Sequence, residues 1–104
     1  MAKIIIVYIT MPSEEKAKEI ARALLEKRLI ACATMLPCKS MYRWNGSIQD
    51  DQELIMLVKT AEDRFDELER EVVNMHPYQI PCILKLEATA HIPYMQWVHS
   101  EVQS

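Results

Sequence analysis

The dipeptide Asn45-Gly46 constrains the fold most, because Gly46 is the only glycine in the chain. Asn-Gly is a preferred centre for a two-residue β-hairpin turn, since both of its positions need a positive φ angle. Strand-like sequence flanks the dipeptide on both sides, and each arm, if extended, spans roughly 45–50 Å at about 3.4 Å per residue. A compact chain of this size has a radius of gyration of only about 13 Å. The hairpin must therefore bend sharply or project beyond its own domain.

The two arms of this hairpin are interrupted in different ways. The first covers residues 29–36, breaks at Pro37 and resumes over residues 40–44. Proline cannot donate to a strand ladder, so Pro37 indicates a sheet edge or a bulge. The second arm, residues 47–59, is polar near the turn and apolar further on.

The rest of the chain alternates between strand and helix patterns. Residues 3–9 form a continuous apolar run, typical of a strand buried on both faces, and residues 80–87 read as a last strand. Ser13 is a predicted helix cap and Thr60 a predicted helix start, and Pro93 opens a terminal helix. Apolar residues at helical spacing mark the buried faces of the first two helices: Ala17, Ile20, Ala21 and Leu24, then Phe65, Leu68, Val72 and Met75.

This order predicts one domain over residues 1–104. Its class is α+β, a ferredoxin-like β-α-β-β-α-β sandwich with a C-terminal helix and a long hairpin between the second and third strands. The helices are expected to cover one face of the sheet and to leave the other open. A projecting apolar edge favours pairing with another copy in a closed assembly. The alternative is a monomer whose hairpin bends at Pro37.

Composition disfavours several classes of protein. The formal net charge is −3 and no basic stripe is present, which argues against nucleic-acid binding. No segment approaches the roughly 20 apolar residues of a membrane span. Cys32, Cys38 and Cys82 form no CxxC pair, and their odd number predicts reduced thiols in a cytoplasmic protein.

Four polar or aromatic residues are the candidates for chemistry. His76, just before Pro77, is a metal ligand or an acid/base group, or else a helix-terminal cation bonded to the last carbonyls. Lys59 meets an anionic ligand near a helix start, or is simply solvated. Tyr94 and Trp97 share a helix face and form either an aromatic wall or part of the core.

Several short runs together resemble the CutA family of divalent-cation tolerance proteins, and they cover nearly the whole chain in order. The runs are Thr10-Met11-Pro12-Ser13, Ala31-Cys32-Ala33-Thr34, Tyr42-Arg43-Trp44-Asn45-Gly46, Leu57-Val58-Lys59-Thr60, His76-Pro77-Tyr78-Gln79-Ile80-Pro81 and Tyr94-Met95-Gln96-Trp97. The resemblance implies a tight homotrimer of ferredoxin-like protomers with hairpins packed between subunits. It also implies a cytoplasmic location in bacteria, tolerance of copper and other divalent cations, and kinship to the trimeric PII signalling proteins, which bind small ligands between subunits.

The resemblance further implies a site around an intersubunit cleft. The residues on the family's characteristic positions are Tyr42, Trp44, Glu53, Lys59, His76, Tyr78, Tyr94 and Trp97. In some members copper ligation is tied to a cysteine late in the first strand and to histidines before the Pro-Tyr pair. Ile9 and Met75 occupy two of those positions here, so His76 is the metal ligand that remains. Cys38 replaces a glycine and Cys82 a frequent acidic residue, which leaves a different ligand set open.

We therefore expect a homotrimeric divalent-cation tolerance protein that binds copper or another divalent cation and signals through its intersubunit clefts. We expect it not to be an enzyme, and to have itself as partner, without nucleic acid or membrane. The alternatives are a PII-like small-ligand-binding protein and an enzyme of unknown substrate at the subunit interface.

Overall fold

The computed structural model describes residues 2–103, so residues 1 and 104 of the predicted domain lie outside the described range. Its elements are β1 (Lys3–Met11), α1 (Glu14–Glu26), β2 (Cys32–Trp44), β3 (Ser47–Thr60), α2 (Phe65–Met75), β4 (Ile83–Thr89) and α3 (Ile92–Glu101). The strands form an antiparallel sheet in the order β2-β3-β1-β4. This is the ferredoxin-like arrangement with a long β2-β3 hairpin, and the predicted fold class is confirmed.

Helices α1 and α2 cover one face of the sheet. Helix α1 begins at the predicted cap, where the Ser13 Oγ accepts a hydrogen bond from the Lys16 N–H at 3.1 Å. The predicted helix faces are confirmed, and their buried residues pack against alternate residues of the strands. The buried residues of this main core are Ile5, Val7, Ile9, Met11, Ala17, Ile20, Ala21, Leu24, Leu29, Ile30, Leu54, Met56, Val58, Leu68 and Val72.

Strand β1 is fully buried on one face only, although its continuous apolar run predicts burial on both. Val7 and Ile9 are inaccessible to solvent, whereas Ile6 and Tyr8, which alternate with them and point to the other face, are half-buried. The reason is that the second face of the sheet has a covering helix at one end only.

That covering helix is α3, which corrects the expectation that all helices lie on one face. Val98 and Val102 pack with Ile4 in a second small cluster, where alanines from the neighbouring segments leave room for the helix. The C-terminal end of α3 is held by Arg64, whose Nε donates to the Val102 carbonyl at 2.7 Å, and by Arg28, whose Nη1 donates to the Glu101 carbonyl at 2.9 Å. Among residues 2–103, no helix is long and apolar enough to cross a membrane.

The β2-β3 hairpin turns at Asn45 and Gly46, with φ angles of 50° and 81°, as predicted. Pairing is continuous from Cys32 opposite Lys59 to Trp44 opposite Ser47. The predicted interruption at Pro37 is therefore wrong. Strand β2 lies at the edge of the sheet, where the missing N–H of a proline can face outward without loss of a ladder bond.

The outer half of the hairpin projects beyond the sheet. Strand β1 pairs with β3 only from Leu54 onward, so residues 47–53 pair with β2 and with no other strand in the described chain. This segment extends by about 24 Å at roughly 3.4 Å per residue. We call residues 38–44 and 47–53 the ribbon. The ribbon makes the molecule elongated, with extents of 45 × 24 × 21 Å.

Three predicted boundaries are wrong. Thr60 ends β3 and does not start α2, because its buried hydroxyl donates to the Leu29 carbonyl at 2.7 Å. A single 3₁₀ turn, Glu62–Arg64, then leads into α2. Residues 29–31 form a buried connection before β2 and not the start of a strand. Strand β4 begins three residues later than predicted, after Pro81, which lacks the N–H that a ladder needs.

Candidate functional site

A cleft of about 720 Å³ lies where the ribbon leaves the sheet. Four of the eight residues predicted around the site line it, namely Tyr42, Trp44, Glu53 and Tyr78. The other lining residues are Thr10, Lys39, Ser40, Met41, Gln79, Ile80 and Cys82. The cleft is thus built from the ribbon, the end of β1 and the connector between α2 and β4. Its volume falls within the range of small-molecule sites.

Two tyrosine–carboxylate pairs fix the acidic groups of the cleft. The Tyr78 hydroxyl donates a hydrogen bond to Glu53 Oε2, and the Tyr42 hydroxyl donates to Asp51 Oδ2 at 2.5 Å. Burial, followed by the hydrogen bond to Glu53, raises the pKa of Tyr78. The hydrogen bond to Asp51 is the main cause that raises the pKa of Tyr42. Both phenols are therefore protonated donors at neutral pH, and each orients one carboxylate.

His76 is buried beneath the connector, with 7% of its surface exposed. Its Nε2 lies 2.7 Å from the Thr10 carbonyl, and its Nδ1 lies 3.2 Å from the Tyr78 backbone N–H. Because a carbonyl only accepts, Nε2 carries the proton and Nδ1 is the acceptor. Its ring also contacts the Tyr78 ring, with centroids 4.7 Å apart. Both nitrogens thus have partners within the protomer, and His76 positions Tyr78 without a nitrogen to spare for a metal.

Lys59, Tyr94 and Trp97 form a second group at the other end of the sheet. The Tyr94 hydroxyl lies 3.2 Å from the Sγ of Cys32, which is the cross-strand neighbour of Lys59. The rings of Tyr94 and Trp97 are 5.7 Å apart, and the Lys59 ammonium donates to Thr34 Oγ1 at 2.6 Å. Burial, together with the hydrogen bond to Cys32, raises the pKa of Tyr94 to about 12.

The structure of one protomer does not bring the two groups together. Glu53 and Lys59 lie on the same strand, six positions apart, which places them about 20 Å from each other. Within a protomer, the eight predicted residues therefore fall into two groups. The first group lines the cleft and is supported by His76, and the second lies at the other end of the sheet. The cleft group is Tyr42, Trp44, Glu53 and Tyr78, and the second group is Lys59, Tyr94 and Trp97.

Metal donors are dispersed. Within residues 2–103, no three or more His, Cys, Asp or Glu side chains are grouped so as to hold a metal ion. The three cysteines are free and half-buried. Burial, followed by the negative charge of Glu53, raises the pKa of Cys82, and a thiol must lose its proton to bind metal strongly. The residues of one protomer therefore do not fit a closed copper site.

Asp51, which accepts the hydrogen bond of the cleft residue Tyr42, is a residue that the sequence patterns did not indicate. A signal for it exists, because counting outward from Asn45-Gly46 places Tyr42 opposite Gln49. Residues diagonal to each other on one face of a hairpin can interact, and Asp51 is the diagonal neighbour of Tyr42. Lys39 and Ile80 line the cleft without any comparable pattern.

Known proteins similar to this chain include CutA proteins from several organisms. The family model "CutA1 divalent ion tolerance protein" matches residues 5–101. The divalent-cation tolerance protein CutA of Thermus thermophilus is 45% identical over 95 residues, which are 89% of this chain and 92% of that protein. CutA of Thermotoga maritima is 44% identical over 99 residues, covering 94% of this chain and 98% of the relative.

Solved structures agree with the sequence relatives. The structure described as the periplasmic divalent cation tolerance protein CutA from Archaeoglobus fulgidus superposes with a TM-score of 0.93 at 39% identity, covering 96% of this chain and 99% of the other. CutA1 from Oryza sativa also gives a TM-score of 0.93, at 30% identity, over 98% of this chain and 95% of the other. The chain therefore belongs to the CutA1 divalent ion tolerance protein family.

Proposed function

We propose that this protein acts as a homotrimer that binds a divalent cation or a small ligand in clefts between its subunits, and that it is a responsive binding protein and not an enzyme. The observation that carries the proposal is an uncovered apolar face of the sheet, continuous with a ribbon that projects past its own domain. Both features favour association with further copies of the chain.

The second face of the sheet carries large apolar side chains. Leu84 and Leu86 of β4 are 51% and 49% exposed, and Leu36 of β2 is 40% exposed. Tyr8 and Leu57, paired on the central strands, lie between them and are half-buried. Soluble monomers rarely leave an apolar surface of this kind open. Three sheets packed face to face around an axis would remove it from water.

Assembly also explains why the predicted site falls into two sets within a protomer. We infer that the Lys59, Tyr94 and Trp97 group of one subunit approaches the cleft of its neighbour. The support is the family resemblance together with the separation of about 20 Å along β3. An intersubunit cleft would then have two ends, a ribbon end with Glu53 from one subunit and an end with Lys59, Tyr94 and Trp97 from its neighbour.

Divalent cations, with copper first among them, would act at the same cleft. Glu53 and Cys82 are the metal-donor side chains on its wall. The Cys82 thiol, whose pKa is raised by burial, would lose its proton to the solvent on binding the metal, and the resulting thiolate favours copper or zinc. Two donors make an incomplete ligand set, so the remaining ligands would come from the neighbouring subunit. This assignment replaces His76, whose nitrogens are both engaged.

Light scattering tests the assembly. The wild-type protein should have a mass of about three times the 12.1 kDa of one chain at micromolar concentration. Leu86→Asp places a charge on the apolar face and should reduce the mass to that of a monomer. Val73→Asp is the matched control, because Val73 is 52% exposed on the solvent side of α2. A wild-type monomer, or equal masses for wild type and Leu86→Asp, would contradict the proposal.

Calorimetric titration with Cu²⁺ and Zn²⁺ tests the cation part. Binding should be lost in Cys82→Ser and kept in His76→Ala, measured at a temperature where the variant is folded. Binding that depends on His76 and not on Cys82 would overturn the ligand assignment. Absence of any binding by the wild-type trimer would remove the cations from the proposal.

We also propose a cytoplasmic location, supported by three free thiols in the chain. The similar protein from Archaeoglobus fulgidus is described as periplasmic. Fractionation of cells that produce the untagged protein would decide between the two compartments.

A further inference from the structure

We propose that the ligand of the cleft is an organic cation, a quaternary ammonium or alkylated amine held between aromatic rings and carboxylates. This inference rests on the proposed function, because it names the chemical class of ligand for the same cleft. It concerns the ribbon end of the site, which each protomer builds from its own residues.

Aromatic rings are concentrated on the wall of the cleft. Tyr42, Trp44 and Tyr78 all line the cleft, although aromatic residues make up only 7% of the chain. The faces of such rings attract cations, and Trp is the strongest of them. Met41 and Ile80 complete the wall with apolar surface. This apolar surface suits the methyl groups of an alkylated ammonium.

Two carboxylates near the ribbon end of the cleft carry negative charge that no salt bridge within residues 2–103 compensates. They belong to Glu53, which is on the wall, and to Asp51, which lies behind Tyr42. Each carboxylate is instead bound by a neutral tyrosine hydroxyl. Lys39 is the cationic side chain on the wall. Two carboxylates against one ammonium give a field that favours a positive ligand and disfavours an anion.

The two tyrosine rings are held in place by contacts within the protomer, before a ligand binds. Tyr78 is fixed by the hydrogen bond of its hydroxyl to Glu53 and by the contact of its ring with His76. Tyr42 is fixed by its bond to Asp51. A preformed site loses little conformational entropy on binding. The same two hydrogen bonds place the negative charges at the edges of the rings.

Calorimetric titration with choline tests the inference, with its uncharged carbon isostere as the comparison ligand. In the isostere a tert-butyl group replaces trimethylammonium, so size and shape are kept and the charge is lost. We expect choline to bind at least roughly tenfold more tightly than the isostere, since cation–π and ionic contacts both depend on that charge. Equal affinities would show a merely apolar pocket, and no binding of choline at millimolar concentration would overturn the inference.

Variants locate the binding. Trp44→Leu and Glu53→Gln should each weaken choline binding by roughly tenfold, whereas Trp44→Phe, which keeps an aromatic face, should lose less. Glu69→Gln removes an exposed carboxylate on α2, away from the cleft, and should bind as the wild type does. Loss of affinity in Glu69→Gln equal to that in Glu53→Gln would show non-specific attraction to the acidic protein, and would overturn the inference.

The mass of the protein, measured in the same buffer, separates this inference from the proposed function. A monomer that binds choline selectively would contradict trimeric assembly and leave the inference standing. A trimer that does not bind choline would contradict the inference alone.

Discussion

Removal of the His76 imidazole should destabilise the protein through two lost hydrogen bonds. In His76→Ala the Thr10 carbonyl loses its donor and the Tyr78 backbone N–H loses its acceptor. A buried polar group left without a partner costs about 1–3 kcal/mol, and some water will reach the space left by the ring. The expected loss is therefore about 2–4 kcal/mol in the free energy of unfolding, a large fraction of the roughly 5–15 kcal/mol typical of a domain.

Urea unfolding followed by circular dichroism measures this loss. The protomer concentration must be fixed, because the proposed association would make the apparent stability depend on it. His91→Ala is the matched control: His91 is exposed at the start of α3 and its side chain makes no capping hydrogen bond. The control should stay within about 0.5 kcal/mol of the wild type. His76→Gln should lie between the two, because its amide can still donate to the Thr10 carbonyl.

Two results would refute the reasoning. If His76→Ala unfolds within about 0.5 kcal/mol of the wild type, the hydrogen bonds of the ring do not support the connector. If a chelator lowers the stability of the wild type to that of the variant, His76 acts through a bound metal and not through Thr10 and Tyr78.

Three further predictions concern single side chains. Thr60→Val keeps the shape but leaves the Leu29 carbonyl unpaired, and urea unfolding should show a loss of about 1–2 kcal/mol; a neutral change would mean that water replaces the hydroxyl. In Gly46→Ala the added Cβ meets no neighbouring atom, but the alanine must adopt a φ of 81°. We therefore expect urea unfolding to show a loss of about 1 kcal/mol in the free energy of unfolding. The pKa of Tyr78 is raised in the folded state, so its contribution to stability is complete below pH 10, the unfolded value, and falls as the pH rises above it. Tyr78→Phe should flatten this alkaline decline in a pH series of thermal unfolding, and an unchanged decline would contradict the role of the bond to Glu53.

The fold was predictable where local chemistry and tertiary packing agree. Ser13 caps α1, and the apolar spacing after it matches the buried face of that helix, because both signals act within a few residues. Asn45-Gly46 fixes the hairpin for the same reason. Pro37 correctly indicated a sheet edge, but the expected break in the strand was wrong, because an edge strand can pair continuously through a proline.

Four of the residues that line the cleft could be named from the sequence, but their geometry could not. The role of His76 is set by the Thr10 carbonyl, which is 66 positions away in sequence. Its other partner is the backbone N–H of Tyr78, a group that the sequence does not mark because every residue except proline has one. Lys59 and Glu53 share one strand, yet they serve different ends of the sheet. Motif order gives membership of a site, whereas distances follow from strand register and from assembly.

In the proposed trimer, hydrogen exchange in the ribbon would report whether the subunits are assembled. Amide protons of residues 47–53 are protected by pairing with one neighbouring strand only, so in a lone subunit this stretch can open without disturbing the globular body. Deuterium uptake there should rise on dilution long before uptake at Val7 or Val58 in the main core. A segment that contributes little to the stability of one chain would thus report, residue by residue, how many chains are present.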